Sequence, residues 1–249
     1  MSSRSKNLKS DRWNAAEDTD VMFDLLGRKI SPRKLRLFGI ACCRRISYMV
    51  KDKECWAALK LAERLTLDGS GREAAAKLCQ RMGRKYLKLN DTLANESNAA
   101  SARLFCLGAF QNLLQDDDDF IQDVVIWSGD AALIRVSYAA IAAFGYRWSK
   151  KWADAPGSEY FSERKAQADL LREVVGNPFK KVRFNPRWKS AAVTKIARDI
   201  HVRGAPRFGE LADELRKAGC TETSILTHCL SEHRHVRGCW VIDSTLDLR

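Results

Sequence analysis

The sequence predicts an all-α protein, arranged as an irregular multi-helix bundle with a C-terminal subdomain of short helices. Three observations support this class. Apolar residues recur every three or four positions along most of the chain, which is the spacing of one helix face. Residues typical of helix starts and helix ends bracket these segments. The alternation typical of a half-buried strand is confined to one short stretch, from Phe179 to Phe184.

The N-terminal half begins with residues 1–12, which are polar and basic and predict a flexible arm. Ser31 followed by Pro32 is a typical helix start, because serine caps exposed amides and proline fits the first turn. The acidic run from Asp116 to Asp119 is interpreted as the start of a helix, where negative charge complements the helix dipole, in preference to a metal site. The helices predicted in this half run from Asp20 to Leu26, Pro32 to Met49, Lys53 to Leu65, Arg72 to Leu89, Asp91 to Leu114, Phe120 to Trp127 and Ala131 to Trp148.

The C-terminal half follows a predicted linker from Ala153 to Ser158, which contains a Pro-Gly pair. We therefore expect a basic-then-neutral helical region at 1–155 and a C-terminal helical subdomain at 156–249, or one continuous unit. Two prolines between Asn177 and Trp188 predict an extended connector. The helices predicted here run from Glu159 to Val175, Ser190 to His201, Phe208 to Ala218, Thr221 to Leu230 and His235 to Leu246.

Composition excludes several classes of protein. The richest apolar stretch, Ala131 to Trp148, is interrupted by Arg135 and Arg147, so it predicts a buried helix and not a membrane span. Residues 1–14 contain no apolar run typical of a secretory signal, which predicts a cytoplasmic protein. Eight cysteines in such a chain are expected to stay reduced.

The net charge is +12, and most of the excess lies in residues 1–90, with 21 Lys and Arg against 10 Asp and Glu. A basic field of this kind attracts phosphate backbones and acidic surfaces. Basic side chains beside the apolar stripes predict a surface that contacts nucleic acid or an acidic protein. In the connector, cations alternate with Phe184 and Trp188, which either stack on bases or anchor the connector to the core. The candidate binding residues are Arg33, Lys34, Arg36, Arg44, Arg45, Arg81, Arg84, Lys85, Lys88, Lys180, Lys181 and Arg183.

A cluster of cysteines and histidines lies near the C-terminus, where thiolate and imidazole are the ligands that zinc prefers. Six such residues fall between Cys220 and Cys239, including His228 and His233. His235 and Cys239 are four apart, which would place them on one helix face. The spacing lacks a close CxxC pair, so the alternative is a set of core cysteines with capping or surface histidines. No cofactor is expected under that alternative, whereas zinc would be held by Cys220, Cys229, His235 and Cys239.

An enzyme is the less favoured class. Cys42 and Cys43 precede Arg44 and Arg45, whose charge would lower a thiol pKa and activate a nucleophile. However, Cys42 falls on the apolar stripe of its helix. Motifs for nucleotide binding, zinc peptidases and serine hydrolases are missing from the sequence.

Two groups of motifs point to relatives. The first is SPRKLRLFGIACCRRI at 31–46. The second comprises LLREVVGNPF at 170–179, FGELADELRKAGC at 208–220, ILTHC at 225–229 and HVRGCWVID at 235–243. These segments resemble a family of uncharacterised proteins that is abundant in planctomycete bacteria. The resemblance implies bacterial relatives and supplies no activity.

The sequence therefore predicts a non-enzymatic helical binding or adaptor protein, whose basic N-terminal surface contacts nucleic acid or an acidic protein. The alternatives are a structural subunit of a larger assembly and, less favoured, a metal- or thiol-dependent enzyme that uses the Cys/His cluster. No membrane partner is expected.

Overall fold

A computed structural model describes residues 3–27, 30–47, 50–92, 107–111, 113–114, 158–180, 182–232 and 235–248. All regular structure in these residues is helical, which confirms the predicted all-α class. A short helical segment lies at 107–111, and a 3-10 turn at Pro186–Trp188 follows the extended connector. The principal helices are α1 (Ser3–Ala15), α2 (Thr19–Leu26), α3 (Pro32–Ile46), α4 (Lys53–Leu67), α5 (Arg72–Thr92), α6 (Ser158–Val175), α7 (Ala191–Arg203), α8 (Phe208–Lys217), α9 (Thr223–Leu230) and α10 (Trp240–Leu246).

Local sequence signals explain several helix ends. The Ser190 hydroxyl accepts a hydrogen bond of 3.2 Å from the Val193 amide and so caps the start of α7. Gly176 directly follows α6 with a φ of 72°, a left-handed conformation that glycine adopts without a Cβ clash. Both boundaries agree with the prediction from sequence.

The predicted arm at residues 1–12 is wrong, because α1 is a helix with a buried anchor. Trp13 is 0% exposed and makes an edge-on contact with Phe179 at 6.3 Å between ring centroids. The Asn177 side-chain amide donates to the Ser10 hydroxyl at 2.9 Å. Arg172 donates to the Trp13 carbonyl at 3.0 Å. Most of these contacts are made by polar groups. An apolar stripe in the sequence could therefore not have predicted them.

The chain forms two compact units. The terminal unit combines Met1–Ser31 with Asp169–Arg249, and the central unit comprises Pro32–Ala168. The predicted boundary at residue 155 lies outside the described residues. So do the predicted helices at 120–127 and 131–148, the acidic run at 116–119, most of the predicted helix at 91–114, and the linker except for Ser158.

In the terminal unit, α7 packs on α8 and α10, and α9 packs on α8 and α10. The side chains between them form one hydrophobic core, and the connector aromatics Phe184 and Trp188 pack against it. This agrees with an anchoring role for these rings. Phe184 and Trp188 are in contact at 5.5 Å, and Lys189 lies over the Phe184 ring.

In the central unit, α3 packs on α4, and α4 packs on α5. The prediction that α3 has one apolar and one basic face is wrong in the middle of the helix, because residues 35–43 are all buried. Arg36 is therefore only 9% exposed. Arg45 forms a two-pronged ion pair with the buried Glu163, in which Nη2 donates to Oε2 at 2.7 Å and Nε donates to Oε1 at 3.1 Å. Gln167 donates to the same carboxylate at 3.0 Å.

Among the described residues, no helix has both the length and the apolar character needed to cross a membrane.

Candidate metal centre

Four side chains with metal-ligand chemistry converge in the terminal unit. Glu173, His228, His235 and Cys239 each offer one ligand atom, and these atoms all lie within 4.8 Å of one another. Glu173 comes from the last turn of α6, and His228 from the last turn of α9. His235 and Cys239 belong to the segment that precedes α10.

The segment 235–239 is a turn and not the first part of a helix, so the predicted helix start at His235 is wrong. Gly238 has a φ of 90°, which turns the chain just before α10. The Cys239 amide donates to the Val236 carbonyl at 3.2 Å, and the Cys239 carbonyl accepts from the Asp243 amide at 3.0 Å. This turn, and not a shared helix face, brings His235 and Cys239 to one place.

The Glu173 carboxylate is the centre of the group. One oxygen lies 3.0 Å from His235 Nδ1, and the other lies 3.2 Å from His228 Nε2. His228 Nε2 is also 3.0 Å from the Cys239 sulfur. The His235 ring is stacked on Phe208, with 3.6 Å between centroids and 12° between planes. Packing therefore fixes one imidazole, while the carboxylate touches both.

The site is largely closed to water. The Glu173 side chain is 2% exposed, and those of His228 and His235 are 11% and 13% exposed. Burial raises the pKa of the Cys239 thiol well above its ordinary value, and the nearby Glu173 charge raises it further. A divalent cation would reverse this effect, because a coordinating thiol loses its proton.

Trp240 determines which nitrogen of His228 carries the ring hydrogen. The indole Nε1 donates to His228 Nδ1 at 3.2 Å. An indole N–H is only a donor, so Nδ1 accepts and the ring hydrogen lies on Nε2. That hydrogen points toward Glu173 and Cys239. A metal held by Nε2 would replace it, and the contact with Trp240 would then have to change.

The structure brings together two of the four ligands predicted from the sequence. His235 and Cys239 belong to the group, whereas Cys220 and Cys229 lie in the hydrophobic core. Burial raises the pKa of Cys229 to about 12. His233 lies outside the described residues.

Sequence reasoning missed Glu173 as a ligand, and it included His228 in the Cys/His cluster but not among the four predicted zinc ligands. The signal for Glu173 was a carboxylate that lies between Leu170, Leu171 and Val174 on the predicted helix, where a buried charge needs a partner.

The predicted basic binding residues are distributed over both units, and several form ion pairs. Arg44 pairs with Glu63, Arg81 with Glu54 at 2.9 Å, and Lys85 with Asp52 and Glu54. Arg33 and Lys34 are half-buried in the first turn of α3.

Four of the predicted binding residues are exposed and take part in none of these pairs: Arg84 and Lys88 on α5, and Lys180 and Arg183 in the connector. Lys181 lies outside the described residues. Contact with nucleic acid or an acidic protein therefore stays a prediction.

The Cys42 environment is opposite to that expected of a nucleophile. The thiol is 0% exposed, and burial raises its pKa well above the ordinary value. Glu163 raises the pKa further, while Arg45 lowers it by a smaller amount. This favours the interpretation of Cys42 as a residue of the apolar stripe over the alternative of a thiol activated by neighbouring arginines.

The chain matches no protein-family model, no curated protein and no solved structure. The resemblance to planctomycete proteins stays a prediction, and any function has to be argued from the geometry of the chain itself.

Proposed function

We propose that the terminal unit binds one zinc ion through Glu173, His228, His235 and Cys239, and that the ion holds this part of the fold together. The observation that carries the proposal is the convergence of four ligand atoms within 4.8 Å. The ion would link α6 to α9 and to the turn before α10, because Glu173 precedes His228 by 55 residues in the chain.

The ligand chemistry and distances support zinc. Thiolate, imidazole and carboxylate are the ligands of Zn²⁺, whereas Ca²⁺ and Mg²⁺ prefer oxygen alone. A tetrahedral zinc ion separates its ligand atoms by about 3.3–3.6 Å. The contacts of 3.0–3.2 Å around His228 would need to open by only a few tenths of an ångström.

The charges support a buried ion. A thiolate and a carboxylate together carry two negative charges, and two neutral imidazoles add none. Zn²⁺ balances these two negative charges, so the loaded site would be neutral. Its burial would therefore carry only a small desolvation penalty. The competing state without metal is a hydrogen-bonded group in which protons occupy the thiol and the imidazoles.

A structural role is favoured over catalysis by the number of ligands. Four protein ligands complete a tetrahedron, whereas catalytic zinc sites keep one position open for water or substrate. Because site formation and folding are coupled, removing the ion should loosen the helices that the ligands connect.

Metal analysis of the purified full-length chain is the direct test, with about one zinc per chain expected. Cobalt(II) loading adds a ligand-specific readout, because thiolate coordination gives a charge-transfer absorption in the near ultraviolet. That band should disappear in Cys239→Ser and persist in Cys220→Ser, a matched buried-cysteine control. A metal-free protein that takes up no cobalt would contradict the proposal. A band that persists in both variants would favour the ligand set predicted from the sequence, in which three cysteines coordinate the metal.

A second variant tests the proposal through the sign of its effect on stability, with and without zinc. Glu173→Met removes a ligand but also a buried charge, and apolar replacements of buried charges are often neutral or stabilising. In the presence of chelator, Glu173→Met should be at least as stable as the natural chain. With zinc at a thousand times its dissociation constant, the natural chain should gain about 4 kcal/mol and become the more stable of the two. Equal stability curves with and without zinc would contradict metal binding.

A second candidate function is contact between α5 and a nucleic acid or acidic protein. Arg84 and Lys88 are exposed and lie four residues apart, hence on one face of the helix. If this face binds nucleic acid, Arg84→Gln with Lys88→Gln should weaken binding equally for all sequences and reduce the salt dependence by about two counterions. Lys60→Gln with Lys77→Gln, exposed cations on α4 and α5, is the control for net charge. Unchanged binding would exclude this face.

A further inference from the structure

The terminal unit contains a cavity of about 440 Å³ between α7, α8 and the turn before α10. This volume is in the range of small-molecule sites. Ile200, Pro206 and Phe208 give it apolar walls, and His201, Ser231 and Arg237 supply polar groups. Such a mixture of apolar walls and a few polar groups is typical of sites for small organic ligands.

Arg237 gives the cavity its charge preference. One guanidinium nitrogen donates to the Val202 carbonyl at 3.2 Å, which ties the side chain to the end of α7. A guanidinium has five N–H donors in a fixed planar arrangement, which suits the paired oxygens of a carboxylate or phosphate. The Arg237 side chain therefore offers an anchor for an anionic oxygen group at the cavity wall.

Aromatic packing shapes the apolar part. Phe208 and His235 both line the cavity and are stacked at 3.6 Å between ring centroids. Pro206, which also lines the cavity, adds a rigid apolar surface. A flat ring in the ligand would match these walls.

We propose that this cavity binds a small molecule that joins an apolar ring to one anionic oxygen group, with Arg237 holding the anion. The proposal does not rest on the zinc ion, because Arg237 and the apolar walls are not ligands. His235 is shared between the cavity and the metal centre, so binding is measured on the full-length chain both as purified and after chelation.

Phenyl phosphate and benzoate are the probes, and phenol is the neutral comparison. Saturation-transfer NMR should detect either anion at about 5 mM, a concentration that reports millimolar affinities, and should give a much weaker signal for phenol. Arg237→Met keeps the apolar stem of the side chain and should reduce affinity at least tenfold. Arg198→Met, an exposed arginine on α7 outside the cavity lining, should leave affinity unchanged.

Gly209 allows the cavity to be filled without disturbing the packing. It lines the cavity, and a Cβ placed on it meets no heavy atom within 4 Å. Gly209→Leu should abolish binding of both anions, whereas Gly209→Ala should retain it, and circular dichroism checks that both variants fold. Two results would overturn the proposal: neither anion binds the natural chain, or Arg237→Met and folded Gly209→Leu bind as well as it does. Zinc content, measured separately, distinguishes this failure from that of the metal proposal.

Discussion

Gly176 lies against Trp240, whose indole donates to His228 of the candidate metal-binding group. Gly176→Ala should therefore destabilise the terminal unit by more than its backbone conformation alone would require. A left-handed conformation costs a residue with a Cβ about 1–2 kcal/mol. The added Cβ would also lie 3.0 Å from Trp240 Cγ, so the indole would have to shift. In the metal-free chain, measured in the presence of chelator, that shift would break the hydrogen bond from Trp240 to His228, which contributes about 0.5–1.5 kcal/mol.

The expected total is about 1.5–3.5 kcal/mol, the sum of these two contributions. Gly204→Ala is a matched control, because Gly204 also follows a helix with a φ of 68° while an added Cβ meets nothing within 4 Å. It should show only the backbone cost of about 1–2 kcal/mol. Urea unfolding followed by circular dichroism measures both variants, and tryptophan fluorescence should change only in Gly176→Ala. Equal destabilisation by the two variants would refute the packing argument.

Two further predictions concern ion pairs in the central unit. Arg45→Met should cost about 3–5 kcal/mol in urea unfolding, because it leaves the buried Glu163 carboxylate without its cation; a cost under about 1 kcal/mol would contradict this. The hydrogen bond from Lys85 lowers the pKa of Glu54 below its ordinary value of 4.5. The stability that the ionised Glu54 carboxylate contributes is therefore present at neutral pH and is lost as the pH falls through the lowered pKa. Glu54→Gln should flatten the acid side of the stability curve, whereas Glu73→Gln, whose carboxylate is 83% exposed, should not.

Where a helix buries one face and exposes the other, the periodicity of its apolar residues predicts most of the fold. Ser190 and Gly176 mark helix ends because their effects are local to the backbone. Two of the wrong predictions, the arm at 1–12 and the one-sided burial of α3, lie where contacts from other parts of the chain determine the structure. The helix α1 is held by polar contacts with Asn177 and Arg172, more than 150 residues away. The middle of α3 is buried on all sides, which a search for one apolar stripe cannot anticipate.

The candidate site was predictable only in part, for a related reason. His235 and Cys239 are close in sequence, and the Cys/His composition identified the region. Periodicity shows that Cys220 and Cys229 face inward, but it does not distinguish a side chain directed at a core from one directed at a ligand group. Glu173 lies 55 residues before His228, so only the tertiary structure could pair them.

The two buried glutamates of α6, Glu163 and Glu173, show how the partner of a buried carboxylate distinguishes a structural ion pair from a candidate binding site. Each lies in a face of the helix that packs inward, and each therefore requires compensation for its charge. Glu163 receives it from the guanidinium of Arg45, which is always charged, and this makes the pair a permanent element of the central unit. Glu173 faces His228 and His235, which carry charge only when protonated, and a thiol whose pKa is raised. A fixed cation beside a buried carboxylate indicates a structural ion pair. Imidazoles and a thiol in the same position indicate a site whose charge depends on what it binds, a proton or a metal ion.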